Sequence, residues 1–289
     1  MTNKPVVAEF AGAEQFAVEM FTTYFNSKTA HDLETLIALI DPHVFYQDPV
    51  LTWELSPRSE LEEAWRELFA SVPSTAGSRL ADISGSELGA AVDFTNDAEL
   101  FGSALHAIGI MDIADGKIVR VSDYWDGRAF GIEATNEFRK QINPTGRPPK
   151  TPPTWSTDVH STPLLRSVLT QLFDAVTAGQ PVPDGILEDN VLIRDLTVGS
   201  QVAGREQVKH WLESAGTILP WASNATLEHV TGGDLGGGVE WTAGSASLVG
   251  RGAGRVVLAG QKILQLDLMW DSSGITNDAF ATLVHRVTN

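Results

Sequence analysis

The chain repeats itself. Tyr24 to Asp126 runs through two helix-like segments to Tyr46-Gln47-Asp48-Pro49, then another helix, several strands, and a close at Gly116-Lys117-Ile118 … Tyr124-Trp125-Asp126. Leu172 to Asp271 keeps that order, with Ile193-Arg194-Asp195, Gly204-Arg205-Glu206-Gln207 and Gly260-Gln261-Lys262-Ile263 … Met269-Trp270-Asp271. A repeat of about one hundred residues is a duplicated domain rather than a solenoid unit. The duplication also supplies an internal control. A side chain present in one copy and replaced in the other serves something the shared fold does not require.

The pattern inside each copy reads as α+β. Phe16, Met20 and Tyr24 fall four apart, with Ala17 and Phe21 beside them, which makes one apolar helix face. Leu33, Leu36, Ile37 and Ile40 mark a second helix stopped by Pro42, and a strand follows from His43 to Asp48. A third helix is expected after Pro57, with Ser59 as N-cap and Glu62 completing a capping box. Strands are expected near Arg79–Ser84, Gly89–Thr95, Leu100–Ile113 and Lys117–Trp125, the last two joined by an Asp115-Gly116 hairpin turn. In the second copy Leu165, Val168, Leu169, Leu172, Phe173 and Val176 form the first helix face, and strands are expected near Ala225–Thr231, Gly237–Trp241, Ala246–Leu258 and Lys262–Trp270. The Gly- and Arg-rich run from Gly250 to Arg255 lacks the Gly-Lys-Ser/Thr of a phosphate loop and is better read as a strand or bulge. Helices on one side of a curved antiparallel sheet make a cone with an apolar interior open at one end. The expected architecture is two tandem cones of three helices each, 1–142 and 163–289, joined by a stiff proline-rich linker, 143–162.

Composition narrows the function classes. A net charge of −17 argues against nucleic-acid binding. The absence of Cys removes disulfides and thiolate chemistry and suits a reducing cytoplasm. No apolar run approaches ~20 residues and no signal-peptide pattern opens the chain, so an intracellular, cytoplasmic protein without membrane contact is expected. The His residues show no zinc-motif spacing and no Ser elbow occurs, so neither metal nor cofactor is expected.

The order of elements, with Tyr-x-Asp-Pro after the second helix and Asp-Gly-Lys-Ile … Tyr-Trp-Asp at the end, resembles the nuclear transport factor 2-like superfamily across both halves. That superfamily includes ketosteroid isomerase, SnoaL-like polyketide cyclases, scytalone dehydratase, limonene epoxide hydrolase and epoxide-opening cyclases. Against ketosteroid isomerase the resemblance implies Tyr24 as oxyanion donor, Asp48 as general base and Trp125 as a pocket wall. Its second donor, a protonated aspartate, falls near Ile108. The resemblance therefore implies a cofactor-independent cyclase, isomerase or lyase of natural-product type, acting on an apolar polyketide-like or terpenoid-like molecule. Relatives of this kind pair through their open sheet faces, which implies an intramolecular pseudo-dimer and leaves a further homodimer open.

The residues support a pocket independently. A carboxyl aimed into an apolar cone has a raised pKa. His106 shares the Ile108 face of its strand, and Asp123 shares the face of Trp125. The first-copy pocket is expected to hold Tyr24, Asp48, His106, Asp123, Trp125, Ile108 and Trp53. In the second copy Leu172 replaces Tyr24, Leu268 replaces Asp123 and Arg251 stands near the place of His106. Glu228 enters where the first copy has Ala81, so Asp195 and Glu228 form a candidate epoxide-opening pair, with Trp270 as a wall. Plainer readings stand beside these. Asp48 can cap a turn before its proline, Asp126 and Asp271 cap turns, Tyr24 can be a helix-face aromatic, His106 a structural histidine, Asp123 a solvated strand end and Glu228 an exposed strand residue. The whole chain can also be a non-catalytic small-molecule binder.

Overall fold

The computed structural model describes residues 10–144, 157–215, 218–219, 221–222, 225–243 and 250–288. The first half runs β1 (Gly12–Ala13), α1 (Gln15–Thr29), α2 (Leu33–Ala38), β2 (Ile40–Asp48), β3 (Trp53–Leu55), α3 (Arg58–Ser71), β4 (Ser78–Ser86), β5 (Gly89–Asn96), α4 (Ala98–Phe101), β6 (Leu105–Ala114), β7 (Lys117–Trp125), α5 (Gly127–Phe130) and α6 (Ile132–Ile142). The second half runs α7 (Thr157–His160), α8 (Pro163–Thr177), a 3-10 turn (Asp184–Ile186), β8 (Leu187–Asp195), β9 (Ser200–Ala203), α9 (Arg205–Ala215), β10 (Ala225–Gly233), β11 (Gly236–Ala243), β12 (Arg251–Ala259), β13 (Lys262–Trp270) and α10 (Asn277–Thr288). The strands form two separate sheets, ordered β1-β4-β5-β6-β7-β2-β3 and β10-β11-β12-β13-β8-β9. The proline-rich linker lies mostly outside the described residues, and its last part folds as α7 with Ser161 bridged to Gly232. Among the described residues no helix is long and apolar enough to cross a membrane.

Each sheet has one apolar face covered by helices. In the first half, α1, α3 and α6 cover the face that carries Val92, Phe94, Ala107, Val121 and Trp125. In the second, α8, α9 and α10 cover Val239, Trp241, Leu266, Leu268 and Trp270. The meander is antiparallel as expected, but β2 and β8 join the last strand of their sheets in parallel. The Asp115-Gly116 turn has φ of 49° and 69° at its two residues, the double positive of a type I′ hairpin.

Local expectations fail where tertiary context intervenes. The third helix begins at Arg58 with Pro57 as cap and no side-chain cap bond, so Ser59 lies inside it. Pro42 sits within β2, where the pairing with β7 shifts register between Ile40 and Phe45 and needs no ladder donor. Leu100 belongs to α4, and β6 starts at Leu105. Phe16 is 38% exposed although it shares the periodicity of the buried Met20 and Tyr24. The sequence expectation of three helices per copy did not include α6 and α10, which close each unit after its last strand.

The other faces of the two sheets pack on each other. Their centre is apolar, formed by Ala91, Ile108, Ile110 and Tyr124 against Ala253 and Met269. A buried ionic network surrounds it. Glu240 accepts from Arg120 and from the Tyr124 hydroxyl, each at 2.5 Å. Arg255 binds Asp267 at 2.7 Å and Asp82 at 2.9 Å, and Arg194 binds Asp267 at 2.6 Å. His229 bonds Asp112 at 2.8 Å across the interface. Burial alone would raise the Asp112 pKa, but the His229 bond and Arg120 outweigh it and hold the group at about 2. At the sheet ends the duplication is reciprocal. Asp126 accepts from Ser272 N at 2.9 Å, and Asp271 accepts from Gly127 N at 3.0 Å. Asp126 also caps α5 through Arg128 N, so these aspartates both cap turns and tie the halves together.

Removing one partner of a buried ion network strands the other charge, which costs about 3–5 kcal/mol. Glu240→Ala is therefore expected to lower unfolding stability by that amount in chemical denaturation. A loss under about 1 kcal/mol, typical of an exposed ion pair, would show that water reaches the interface.

Candidate functional site

β2 and β7 lie side by side and bring their C-terminal ends together under α1. Alternation on β2 turns Tyr46 and Asp48 to the helix side, and alternation on β7 does the same for Asp123 and Trp125. Lys28, on the last turn of α1, reaches over Phe94 from above, with Nζ 5.3 Å from the ring centre. Trp53 on β3 and Phe130 and Phe138 after β7 complete the walls. They enclose a cavity of about 70 Å³, several times the roughly 10–15 Å³ in which one water sits.

Asp48 is only 6% exposed. Trp125 Nε1 donates to its Oδ2 at 2.9 Å and Leu51 N to its Oδ1 at 2.9 Å. The turn-capping role and the pocket position therefore coexist. Burial raises its pKa to about 7, against the lowering effect of the Trp125 and Leu51 bonds. The Tyr46 hydroxyl donates to Asp123 Oδ2 at 3.2 Å, and Asp123 Oδ1 is buried with no hydrogen bond among the described residues. A Cβ at Gly109 would lie 2.9 Å from that oxygen, so the glycine makes room for it. Burial raises the Asp123 pKa against the lowering influence of Lys28, and burial lowers the Lys28 pKa against the raising influence of Asp123. Two carboxyls, a phenol and an amine thus share one poorly solvated space, where each charged form is disfavoured.

Of the expected site residues, Asp48, Asp123, Trp125 and Trp53 line this cavity together. Tyr24 does not line it. It is 2% exposed in the adjoining core, edge-on to Phe25 and Trp65, and burial lifts its hydroxyl well above its ordinary range. His106 and Ile108 share a face as expected, but it is the wrong one. The β6–β7 register pairs Ala107 with Trp125 and Gly109 with Asp123, so His106 and Ile108 point toward the second sheet. There His106 Nε2 meets Asp93 at 2.6 Å, a bond that raises its pKa, and Ile108 joins the inter-sheet core. One residue of register decides the face.

Among the described residues, side chains pack the place in the second copy that matches the first-half cavity. Asp195 is fully buried and takes indole N–H bonds from Trp221 at 3.0 Å and Trp270 at 3.0 Å, plus backbone N–H bonds from Thr197 and Val198. Trp221 comes from the segment after α9. The corresponding residues after α3 are Pro73, Ser74 and Thr75, all exposed. Trp270 is therefore a core residue and not a ligand wall. Glu228 is the extra residue at the β10 bulge between Leu227 and His229. It bonds Thr242 Oγ1 at 2.5 Å and faces an open groove beside Arg166 and Asp174. Asp195 and Glu228 do not share a pocket, which removes the epoxide-opening pair.

Lys28 and Tyr46 were not anticipated, although the sequence carried a signal for each. Lys28 follows Met20 and Tyr24 at steps of four on the apolar face of α1, and Tyr46 is two residues before Asp48. Helices α1 and α8, strands β2 and β8, and strands β7 and β13 have equal lengths. That match places Val176 opposite Lys28, Leu172 opposite Tyr24, Ile193 opposite Tyr46 and Leu268 opposite Asp123, while Asp195 and Trp270 keep the Asp48–Trp125 pair. Among the described residues no group of three or more metal-ligating side chains is present.

No protein-family model matches the chain, and no curated protein matches it. Solved structures similar to part of it have nuclear transport factor 2-like, SnoaL-like, ketosteroid isomerase-like and LEH-like epoxide hydrolase folds. A candidate ketosteroid isomerase from Kribbella flavida is 20% identical over 38% of this chain and 78% of its own, with a TM-score of 0.34. A SnoaL-like protein of unknown function from Burkholderia thailandensis is 14% identical over 39% of this chain and 98% of its own, with a TM-score of 0.35. An LEH-like epoxide hydrolase from M. tuberculosis is 14% identical over 45% of this chain and 97% of its own, with a TM-score of 0.35.

The raised Asp48 pKa has a thermodynamic consequence. Its folded value, about 7, lies above the ordinary 3.8, so its contribution to stability is complete below pH ~4 and lost as pH rises through ~7. Asp48→Asn removes that dependence. The stability of the variant relative to the native chain is expected to rise between pH 4 and pH 8 by up to about 4 kcal/mol. A flat difference in paired denaturation curves would place the carboxyl in the ordinary range.

Proposed function

We propose that the first-half cavity is the active site of an acid/base enzyme acting on a small, largely apolar organic molecule. The observation that carries this reading is the set Lys28, Tyr46 and Asp123, which shares the cavity with Asp48 and is replaced by Val176, Ile193 and Leu268 in the filled copy. The duplicated fold does not need these polar groups. Asp48, with a pKa of about 7, holds both protonation states at neutral pH and suits proton abstraction and return. The Tyr46–Asp123 pair serves the substrate oxygen on which negative charge develops. Isomerisation, dehydration and cyclisation each reduce to such transfers. The second half, 163–289, braces the active first half, 1–142, and the proline-rich 143–162 connects them.

A non-catalytic binding protein is the second reading, favoured by one observation. Asp195 keeps the same indole and backbone bonds as Asp48 inside a filled core, so the Asp–Trp pair alone has a structural use.

Compounds retained by the full chain, identified by native mass spectrometry, separate the two. An enzyme is expected to convert a retained compound, and Asp48→Asn and Asp123→Asn should each slow conversion by roughly 10²–10⁴-fold while the fold persists by circular dichroism. Retention without conversion by the native chain would leave only a binding protein.

A further inference from the structure

Lys28 has an unusual setting for a lysine. Its residue is half-buried, its Nζ lies between the rings of Phe94 at 5.3 Å and Phe25 at 6.0 Å, and its stem lines the cavity that holds Asp48 and Asp123. Among the described residues no carboxylate or carbonyl lies within hydrogen-bond or ion-pair distance of Nζ, whereas Lys117 and Lys140 are both exposed and partnered. A charge at the end of a helix needs no such enclosure. A half-buried lysine held over aromatic rings with no anionic partner is the setting that gives a nucleophilic amine.

We propose that Lys28 is a covalent amine catalyst that forms a protonated imine with an aldehyde or ketone group of the substrate. This rests on the reading of the cavity as an acid/base active site, and it names the substrate class as a small carbonyl compound. The neutral amine attacks the carbonyl carbon. The C–N bond forms, the C=O π bond breaks, and the oxygen takes the proton of the Asp48 carboxyl group. The nitrogen then returns a proton to the Asp48 carboxylate. The nitrogen lone pair expels the hydroxyl, which takes that proton and leaves as water. The products are a protonated imine and an Asp48 carboxylate. The iminium acidifies the neighbouring C–H bond, and the carboxylate stands in the same cavity to remove that proton. Burial disfavours the ammonium form of Lys28, which keeps more free amine available than on an exposed lysine.

Reductive trapping tests this on the full chain. The protein is incubated at pH 7 with acetone, cyclohexanone or benzaldehyde and sodium cyanoborohydride, and adducts are located by peptide mass spectrometry. One probe per chain is expected at Lys28, formed faster than at Lys140, since burial of the Lys28 amine leaves more of it unprotonated. Lys28→Arg, which keeps the charge over the rings, should abolish that adduct and leave the circular dichroism spectrum unchanged. Should Lys28→Arg misfold, the rate ratio between Lys28 and Lys140 in the native chain decides alone. Absence of a Lys28 adduct, or labelling spread evenly over exposed lysines, overturns the imine. If Asp48-dependent conversion of a retained compound persists in that case, the acid/base reading stands without it.

Discussion

A carboxylate taken out of water costs several kcal/mol unless donors replace the lost hydration, and this chain meets that cost in two ways. Between the sheets, Asp112, Glu240 and Asp267 are each compensated by arginine or histidine. Inside the first half, Asp48 and Asp123 face aromatic walls with an indole, a phenol and a distant ammonium as company. The first solution pins two sheets together. The second leaves protons easy to move, and β7 serves both, with Arg120 on the face toward the other sheet and Asp123 on the face toward the helices.

The sequence made the fold legible because the duplication and the strand alternation report the same thing. The equal lengths of β2 and β8 and of β7 and β13 follow directly from the repeated Asp and Tyr/Met-Trp-Asp landmarks. Asp48, Asp123 and Trp125 were legible as cavity neighbours because strand ends and alternation are local. His106 and Ile108 were not, since their face depends on how β6 registers against β7, a non-local fact that one residue reverses. Trp221 was illegible as the plug of the second copy because nothing local tells whether a loop tryptophan turns inward. Lys28 was readable in principle, as a lysine on an apolar helix stripe, but long amphipathic side chains often lie along such stripes with their charge in water.

The two copies show what divergence from one scaffold needs. The second has aliphatic residues in place of the phenol, amine and second carboxyl and an indole from a loop, and its described residues pack into a core there. The Asp–Trp bond survived in both, which marks it as part of how the last strand meets β2 or β8. Its survival leaves Asp48 with two duties, and only the emptiness beside it separates them.

The segment after β7 carries Phe130 and Phe138 into the hollow, yet its arginines are moored elsewhere. Arg128 bonds Ser272 and Asn277, and Arg139 bonds Asp271 in the other half while also holding the Val50 carbonyl. The filled copy thus acts as a jig, setting from outside the position of a wall it never touches from within. Slack in that mooring would widen the hollow without any change to the residues that line it.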